Sequence, residues 1–234
     1  MQAFRKSLTL GVDSLLRVND QLDHVAAKRV VDAFIACPGR RYFTGIGKSG
    51  LAAARMASSL TSIGLASHWV HGSEWAHGEL GALKAGDLIT TVSHSGGTAE
   101  LVWLMQQLDA RQELYCGSHH WMSSLARNEE SDSSLPAMAD SGGATSTGGV
   151  GIVSLTGDAT SMLASGATLS LTYPVPASAE ALELLPTSSV LAVHHIFNAL
   201  LCECADRMQL SSADVMRHHP GGNVGASARG RAGQ

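Results

Sequence analysis

The sequence predicts an α/β fold in which a parallel β-sheet carries helices on both faces. Short strand patterns alternate with helical patterns along the chain, and this alternation is typical of parallel sheets. Two of the strands run into turns rich in glycine and serine, at residues 45–50 and 93–98. Hydrophobic residues make up 44% of the 234 residues, which is enough to bury the core of one large domain or two small ones.

The strand patterns are short runs of apolar and β-branched residues that end in turn-forming residues. These runs cover residues 41–44, 67–70, 87–92, 150–155 and 168–173. Apolar residues recur at helical spacing over 8–34, which predicts one long amphipathic helix or two shorter ones. Further helices are predicted over 51–63, 99–109 and 187–208, and Pro186 stands directly before the last of them.

The segment 117–149 interrupts this alternation. It is rich in serine, glycine, alanine and acidic residues, and such a composition buries too little apolar surface to offset the entropy lost on ordering. We therefore predict a flexible surface insertion at 117–149. The rest of the sequence predicts one domain over 1–225, followed by a short disordered tail over 226–234.

Composition and charge exclude several classes of function. The 16 Lys and Arg residues against 20 Asp and Glu residues give a net charge of −4, and the isoelectric point is about 6.2. This balance provides no strong field for nucleic acid. No uninterrupted apolar stretch has the length of a membrane span or the features of a secretory signal. We expect a cytoplasmic protein without nucleic-acid or membrane partners.

The turn at 45–50 has the pattern G-x-G-x-x-G between a strand and a helix. A dinucleotide site also needs an acidic residue at the end of the next strand, where this chain has Trp69-Val70-His71. A P-loop is excluded because Tyr42 stands at its first glycine position. Free amides at a helix N-terminus, the hydroxyl of Ser49 and the charge of Lys48 suit an anion. A turn without a ligand is the alternative.

The turn at 93–98 places three hydroxyl groups and two glycines between a strand and a helix. The hydroxyls belong to Ser93, Ser95 and Thr98. Glycines allow a close approach of the backbone, so amides and hydroxyls can surround a phosphate group. Capping of the helix by Thr98 is the alternative. Because both turns would open at the same edge of a parallel sheet, a phosphorylated small molecule is the favoured ligand.

Four potential metal ligands are close together in sequence, at His71, Glu74, His77 and Glu79. His77-Gly-Glu79 also matches half of a zinc deaminase signature, but the P-C-x-x-C half is absent. These residues therefore favour surface or capping roles, and we expect neither a metal nor an organic cofactor.

Five motifs occur in a fixed order along the chain. They are G-I-G-K-S-G at 45–50, A-H-G-E-L-G at 76–81, S-x-S-G-x-T at 93–98 with Glu100, P-T-S-S at 186–189, and H-P-G-G at 219–222. Each motif alone is weak, whereas five in one order are specific. Together they resemble the sugar isomerase (SIS) domain of the arabinose-5-phosphate isomerase family. The resemblance covers about residues 10–225, apart from the insertion.

The resemblance implies a five-stranded parallel sheet flanked by helices, in subunits that associate as dimers or tetramers. It also implies the interconversion of D-ribulose 5-phosphate and D-arabinose 5-phosphate through a cis-enediol, without a metal or cofactor. The polar catalytic residues of the family fall on Lys48, His77, Glu100 and His219. The implied substrate-binding residues are Gly47, Ser49, Ser93, Ser95, Thr98, Thr187 and Ser188.

The implied chemistry gives each catalytic residue an expected role. Glu100 follows the phosphate loop and would move the proton between C1 and C2. His219 would be a second proton carrier, since imidazole titrates near neutrality. Lys48 would supply fixed positive charge, and His77 would orient hydroxyls or assist ring opening. Sites of this family lie at subunit interfaces, so His77 or His219 could serve a neighbouring subunit.

The chain departs from the family pattern at two positions of the phosphate loop. His94 stands where a polar amide is usual, and Gly97 where Glu or another polar residue is usual. The insertion is also unusual, and the sequence has no counterpart of the pair of CBS modules found in many members. Two alternatives remain open. One is an isomerase or lyase of a hexose or heptose phosphate, and the other is a sugar-phosphate-binding regulator without catalysis.

Overall fold

A computed structural model of the chain describes residues 1–110, Met122 and residues 149–232. The flexible insertion predicted at 117–149 lies outside the described residues, apart from Met122 and Gly149. It therefore stays a prediction.

The core of the protein is a five-stranded sheet in which every neighbouring pair of strands is parallel. The strand order is β2-β1-β3-β4-β5. This confirms the predicted α/β class and the five strands, each within one residue of its predicted ends. The strands are β1 (Arg41–Gly45), β2 (Ser67–His71), β3 (Leu88–Ser93), β4 (Gly151–Thr156) and β5 (Leu169–Thr172).

Helices connect the strands and extend the fold at both ends of the chain. Their bounds are α1 (Gln2–Gln21), α2 (His24–Ala36), α3 (Gly47–Ser62), α4 (Ala99–Ala110), α5 (Met162–Gly166), α6 (Ser188–Arg207), α7 (Ser212–His218) and α8 (Gly222–Ala232). Short 3₁₀ helices cover Glu74–His77, Glu79–Ala82 and Ala177–Ala179.

The first helical pattern is two helices rather than one. The carboxylate of Asp23 accepts hydrogen bonds from the backbone N–H groups of Val25 and Ala26, and so caps a new helix at the start of α2. At the other end, α8 extends to Ala232, where the sequence predicts a disordered tail from residue 226. Alanine and arginine are strong helix formers, and α8 packs against α7.

The sheet separates two apolar clusters, because alternate residues of a strand point to opposite faces. On one face Phe43 makes edge contacts with Phe34 and Phe197, at centroid distances of 5.5 and 6.2 Å. On the other face Tyr42 packs on Trp75, whose Nε1 donates a hydrogen bond to Thr44 Oγ1 at 2.9 Å. Helices α2, α3 and α6 cover the first face and α4 covers the second.

By length and hydropathy, α6 is the one helix within the described ranges that could cross a membrane. Its apolar side chains instead belong to the protein core, where Ile196, Phe197 and Leu200 are buried. The helix packs against α1, α2 and α3. Packing within the domain therefore accounts for its apolar composition.

Candidate functional site

The two glycine-rich and serine-rich turns lie side by side at the carboxyl edge of the sheet. They follow β1 and β3, which are direct neighbours in register, with Gly45 opposite Val92. The strand that follows β1 in sequence, β2, lies on one side of the β1–β3 pair, and the strand that follows β3, β4, lies on the other side. Open α/β sheets bind ligands in the crevice at such a switch point.

A cleft of about 340 Å³ opens at this point. Its polar lining combines hydroxyl, imidazole and carboxylate groups, and the lining continues over apolar residues at the start of α6. The polar groups include those of Ser49, Ser93, Ser95, Thr98, His94 and Glu180. The substrate-binding residues predicted in the two turns thus meet in one cavity, apart from Gly47.

Hydrogen bonds within the turn at 93–98 hold its hydroxyl groups together. Ser93 Oγ lies 2.8 Å from Thr98 Oγ1 and 3.5 Å from Ser95 Oγ, and it accepts the N–H of Gly96 at 3.1 Å. Gly96 has φ +62°, and a Cβ there would clash with the side chain of Ser161. Glycine is required at this position, and the hydroxyls converge at the N-terminus of α4.

The turn at 45–50 is built on close backbone packing. A Cβ on Gly50 would lie 2.7 Å from the carbonyl oxygen of Gly45, and a Cβ on Gly45 would lie 2.9 Å from the amide nitrogen of Gly50. Two glycines of the motif therefore let α3 start directly against β1. Ser49 contributes to the cleft, whereas Lys48 is exposed at the first turn of α3.

Sequence reasoning missed Glu180, a buried carboxylate in the cleft. Its Oε2 accepts the backbone N–H of Ser188 at 2.8 Å, and its Oε1 accepts that of Ser189 at 3.1 Å. The amide of Thr187 also donates to it. Burial raises the pKa of Glu180, but hydrogen bonds from Ser189 and Thr187 outweigh this effect and hold the pKa below its ordinary value.

The only sequence signal for Glu180 is the helix start itself. A buried helix N-terminus needs acceptors for its free amides, and an acidic residue shortly before Pro186 can supply them. The hydroxyls of Thr187 and Ser188 are engaged nearby. Thr187 Oγ1 donates to Glu180 at 2.7 Å, and Ser188 Oγ donates to the carbonyl of Ala179 at 2.8 Å. Of this segment, Ser189 rather than Thr187 or Ser188 lines the cleft.

The four residues predicted to be catalytic are outside the lining of the cleft. Lys48 and Glu100 lie in the first turns of α3 and α4, whose N-termini face the carboxyl edge, and both side chains are exposed. His77 is the exposed last residue of a 3₁₀ helix. Lys48 and Glu100 are therefore at the same edge as the cleft.

His219 lies at the opposite edge of the sheet. A Cβ on Gly64 would be 2.9 Å from Cε1 of His218, and Gly64 follows the C-terminal end of α3. With 16 residues, α3 is about 24 Å long at 1.5 Å per residue. The structure thus separates His219 from the cleft of its own chain by roughly the thickness of the domain.

Two of the four potential metal ligands at 71–79, His71 and Glu74, form local hydrogen bonds. His71 Nδ1 lies 2.8 Å from Ser73 Oγ, which in turn lies 3.2 Å from Glu74 Oε1. Within the described ranges, no group of three or more His, Cys, Asp or Glu side chains is arranged to hold a metal ion.

The family profile of the SIS domain matches residues 34–149. The matched range includes β1, β2, β3 and both turns of the cleft. The chain contains a SIS domain. Three of the five motifs quoted from the sequence, those at 45–50, 76–81 and 93–98, lie inside the matched range.

Curated relatives extend the similarity beyond the SIS domain. Arabinose 5-phosphate isomerase KdsD of Pseudomonas aeruginosa is 29% identical over 216 residues, which cover 92% of this chain and 53% of the relative. The chain spans about half the length of the curated relatives it matches. The resemblance to arabinose 5-phosphate isomerases is thus confirmed over most of this chain.

Solved structures share the same fold over nearly the whole chain. A putative sugar-phosphate isomerase from Listeria monocytogenes has a TM-score of 0.74 at 20% identity, covering 94% of this chain and 96% of its own. A protein of Escherichia coli CFT073, solved in complex with a sugar phosphate, has a TM-score of 0.71 at 24% identity, with coverages of 93% and 95%.

Proposed function

We propose that this SIS-domain protein is a sugar-phosphate aldose–ketose isomerase that interconverts D-ribulose 5-phosphate and D-arabinose 5-phosphate. The observation that carries the proposal is the convergence of the Ser93, Ser95 and Thr98 hydroxyls in a cleft at the switch point of the sheet. The similarity to arabinose 5-phosphate isomerases supports this choice of substrate.

The phosphate group would bind at the N-terminus of α4. Hydroxyls and backbone amides at a helix start are a suitable site for a dianion. Ser49, at the start of α3, would add a donor from the neighbouring strand. Because both helices point their N-termini at the carboxyl edge, their dipoles would act on the same ligand.

The proton transfer would be carried by Glu100, which lies in the first turn of α4, two residues after the phosphate loop. Removal of a proton next to a carbonyl group yields a cis-enediol, and return of the proton to the other carbon completes the isomerisation. Lys48 would stabilise the negative charge that develops on oxygen, and His77 would orient hydroxyls. This chemistry needs neither a metal nor a redox cofactor, and the proposal is metal-independent.

Self-association is part of the proposal because His219 lies far from the cleft of its own chain. A His219 that acts in catalysis would have to serve the cleft of another subunit in a dimer or tetramer. The protein would work in the cytoplasm with a small-molecule substrate, and without nucleic-acid or membrane partners.

The face proposed for self-association is an apolar row on α1. Phe4, Leu8, Val12 and Leu16 follow one another at four-residue spacing and are 56–60% exposed. Residues 1–9 are exposed on every face of the helix. A helical end of this length is marginal in water without packing, so a second copy of the chain would stabilise it.

The first test is turnover of D-ribulose 5-phosphate by purified protein in the presence of a chelator. We expect activity to persist and to fall by about 10²-fold or more in Glu100→Gln, since general acid–base catalysis is typically worth ~10²–10⁴-fold. Glu183→Gln is the matched control at the rim of the cleft and should retain activity. No turnover by the folded protein would overturn the reaction, and binding of sugar phosphates without turnover would favour a regulator.

A mixing experiment tests the shared site. Glu100→Gln and His219→Gln should each be nearly inactive alone, whereas a mixture of the two should regain activity, because some assembled sites combine one intact residue from each variant. Failure of the mixture to regain activity would contradict a contribution of His219 to a neighbouring cleft.

The oligomeric state can be altered at the apolar row. Leu8→Arg should reduce the mass measured by light scattering, because it places charge in the proposed contact. Thr9→Arg adds the same charge beside the row and should change the mass less. Equal masses for the wild type and Leu8→Arg would exclude α1 as the contact.

A further inference from the structure

His94 occupies the middle of the hydroxyl turn, at the position where the sequence departs from the usual amide of the family. Its carbonyl oxygen accepts the N–H of Gly157 at 2.9 Å and the hydroxyl of Thr156 at 3.3 Å. These bonds join the turn after β3 to the end of β4. The backbone of His94 is thereby fixed, and its side chain lines the cleft.

The imidazole ring of His94 fits between two residues. The ring of Tyr173 lies on one side, with centroids 5.5 Å apart and planes at 35°. Gly157 lies against the ring, since a Cβ there would be 2.5 Å from both Cε1 and Nδ1 of His94. Any residue larger than glycine at position 157 would displace the imidazole, so Tyr173 and Gly157 together set its position.

The contact with Tyr173 also selects the tautomer of the His94 imidazole. Nδ1 of His94 lies 3.3 Å from the hydroxyl oxygen of Tyr173, which belongs to a fully buried side chain. Burial, and secondarily the charge of Glu180, raise the pKa of Tyr173, so its hydroxyl keeps its proton. Among the residues that the structure describes, His94 Nδ1 is the one hydrogen-bond partner of this hydroxyl, which makes the hydroxyl the donor and Nδ1 the acceptor. A neutral imidazole that accepts at Nδ1 carries its own proton on Nε2.

Burial lowers the pKa of His94, and the nearby Glu180 carboxylate offsets this only in part. The ring is therefore neutral near pH 7. Two charged groups line the cleft within the described part of the chain, the carboxylates of Glu180 and Glu183, and no Lys or Arg lines it. Glu180 is satisfied by the amides of α6, so neutral N–H and O–H donors are what the cleft offers an anionic ligand.

We propose that His94 is a specificity-determining residue whose Nε2–H donates a hydrogen bond to an oxygen of the bound sugar phosphate. The inference rests on the proposed function, because it assigns a contact to the ligand of the same cleft. Within the described residues Nε2 makes no hydrogen bond of its own. Tyr173 and Gly157 are positioning residues, which act on the ligand through His94.

The test compares two substitutions of equal length at His94. His94→Gln keeps an N–H donor at a similar reach, whereas His94→Met fills the same space without a donor. A hydrogen bond to a charged acceptor corresponds to about a 10- to 100-fold change in affinity. We expect D-arabinose 5-phosphate to bind His94→Met about 10- to 100-fold more weakly, and His94→Gln within about threefold of the wild type.

Calorimetry with D-arabinose 5-phosphate and with inorganic phosphate identifies the acceptor. Loss of affinity for both ligands in His94→Met assigns the bond to a phosphate oxygen, and loss for the sugar phosphate alone assigns it to a sugar oxygen. If the wild type binds D-arabinose 5-phosphate and His94→Met binds it as tightly as His94→Gln, the inference is overturned. If the wild type binds neither ligand, the proposed function itself fails.

A spectroscopic measurement on the wild type needs no substitution in the cleft. The ¹⁵N shifts of the His94 ring should show the Nε2–H form in the free protein, and the Nε2 signal should move when D-arabinose 5-phosphate is added. In Tyr173→Phe the free ring should show a mixture of the two neutral forms. An Nδ1–H ring in the wild type, or an Nε2 signal unchanged at saturation, would contradict the proposal.

Discussion

The two turns of the cleft occupy equivalent places after neighbouring strands, yet they are built on different principles. In the turn at 45–50, Gly45 and Gly50 are in mutual backbone contact, and one hydroxyl, that of Ser49, reaches the cavity. In the turn at 93–98, the hydroxyl of Ser93 lies within hydrogen-bonding distance of those of Ser95 and Thr98. The first turn mainly packs a helix onto a strand, and the second mainly presents donors to a ligand.

This difference shows why a glycine motif alone is a weak indicator of a ligand. The pattern G-x-G-x-x-G at 45–50 is explained largely by close approach of α3 to β1, which any protein with this geometry would need. The hydroxyls at 93–98 satisfy one another in the absence of a ligand, and their position at a helix N-terminus makes them available to an anion. Substitutions in the two turns should therefore have different consequences.

The largest loss of stability is expected from a substitution at the backbone contact between Gly45 and Gly50. Gly45→Ala would place a Cβ 2.9 Å from the amide nitrogen of Gly50 and 3.0 Å from the carbonyl oxygen of Val92. Such overpacking against backbone should cost about 2–3 kcal/mol, or a fall in melting temperature of roughly 4–12 °C. In the other turn, Gly97→Ala meets nothing within 4 Å and should unfold like the wild type.

Thermal unfolding of the two variants measures this contrast. Equal losses of stability would show that Gly45 and Gly97 play the same part, and the distinction between the two turns would be wrong.

Removal of a hydroxyl from the turn at 93–98 should change the free energy of ligand binding, by less than Gly45→Ala changes the free energy of unfolding. Thr98→Val removes a hydroxyl from the convergent set while keeping the shape of the side chain, and should weaken the binding of D-arabinose 5-phosphate about 10-fold, or about 1.4 kcal/mol. Ser49→Ala, in the packing turn, should weaken it about threefold. Calorimetry distinguishes these values, and a larger effect for Ser49→Ala would reverse the assignment of the two turns.

The carboxylate that caps α6 should make stability depend on pH. Because the folded state lowers the pKa of Glu180, its charge stabilises the fold above the ordinary carboxyl pKa, and this contribution is lost as the pH falls through the folded pKa. Glu180→Gln should reduce the free energy of unfolding by about 1 kcal/mol at pH 7, a value typical of helix caps. The difference should shrink towards pH 3.

Urea unfolding of the wild type and of Glu180→Gln at several pH values measures this dependence. Glu183→Gln, an exposed neighbour, should show no such difference at any pH. A constant difference between the wild type and Glu180→Gln across the range would show that the charge of Glu180 is not what stabilises α6.

The last comparison separates backbone strain from steric contact within the packing turn. Gly47 has φ +57°, but a Cβ there would meet nothing within 4 Å. Gly47→Ala should therefore cost only about 1–2 kcal/mol from the left-handed backbone, less than Gly45→Ala. Gly81→Ala has neither strain nor contact and is the matched control. A loss in Gly47→Ala as large as that in Gly45→Ala would contradict this separation.

The sheet and its turns could be predicted because their signals are local. Short apolar runs bounded by glycine and serine predicted five strands, and helical spacing predicted α3, α4 and α6 within a few residues. The hydroxyls at 93–98 were placed in the site because residues that follow neighbouring parallel strands meet at one edge. Family resemblance then supplied expected roles for residues such as Lys48 and Glu100.

The position of Glu180 could not be predicted from the sequence, because the connection that holds it has no periodic pattern. Its place is set by the free amides at the start of α6, which attract the carboxylate into a buried position. The location of His219 at the far edge of the sheet follows similarly from the packing of His218 on Gly64. The spacing of residues along the sequence does not indicate at which edge of the sheet this contact lies.

The sequence by itself determined the fold class, the strands and the two turns, since periodicity and turn chemistry depend on neighbours along the chain. Only the tertiary structure decided which polar groups share the cleft. His94 and Tyr173 are 79 residues apart, and Gly157 comes from a third part of the chain. They meet because the parallel order β3-β4-β5 brings the ends of three strands to one edge. Packing against Tyr173 and Gly157 there fixes the orientation of the His94 ring.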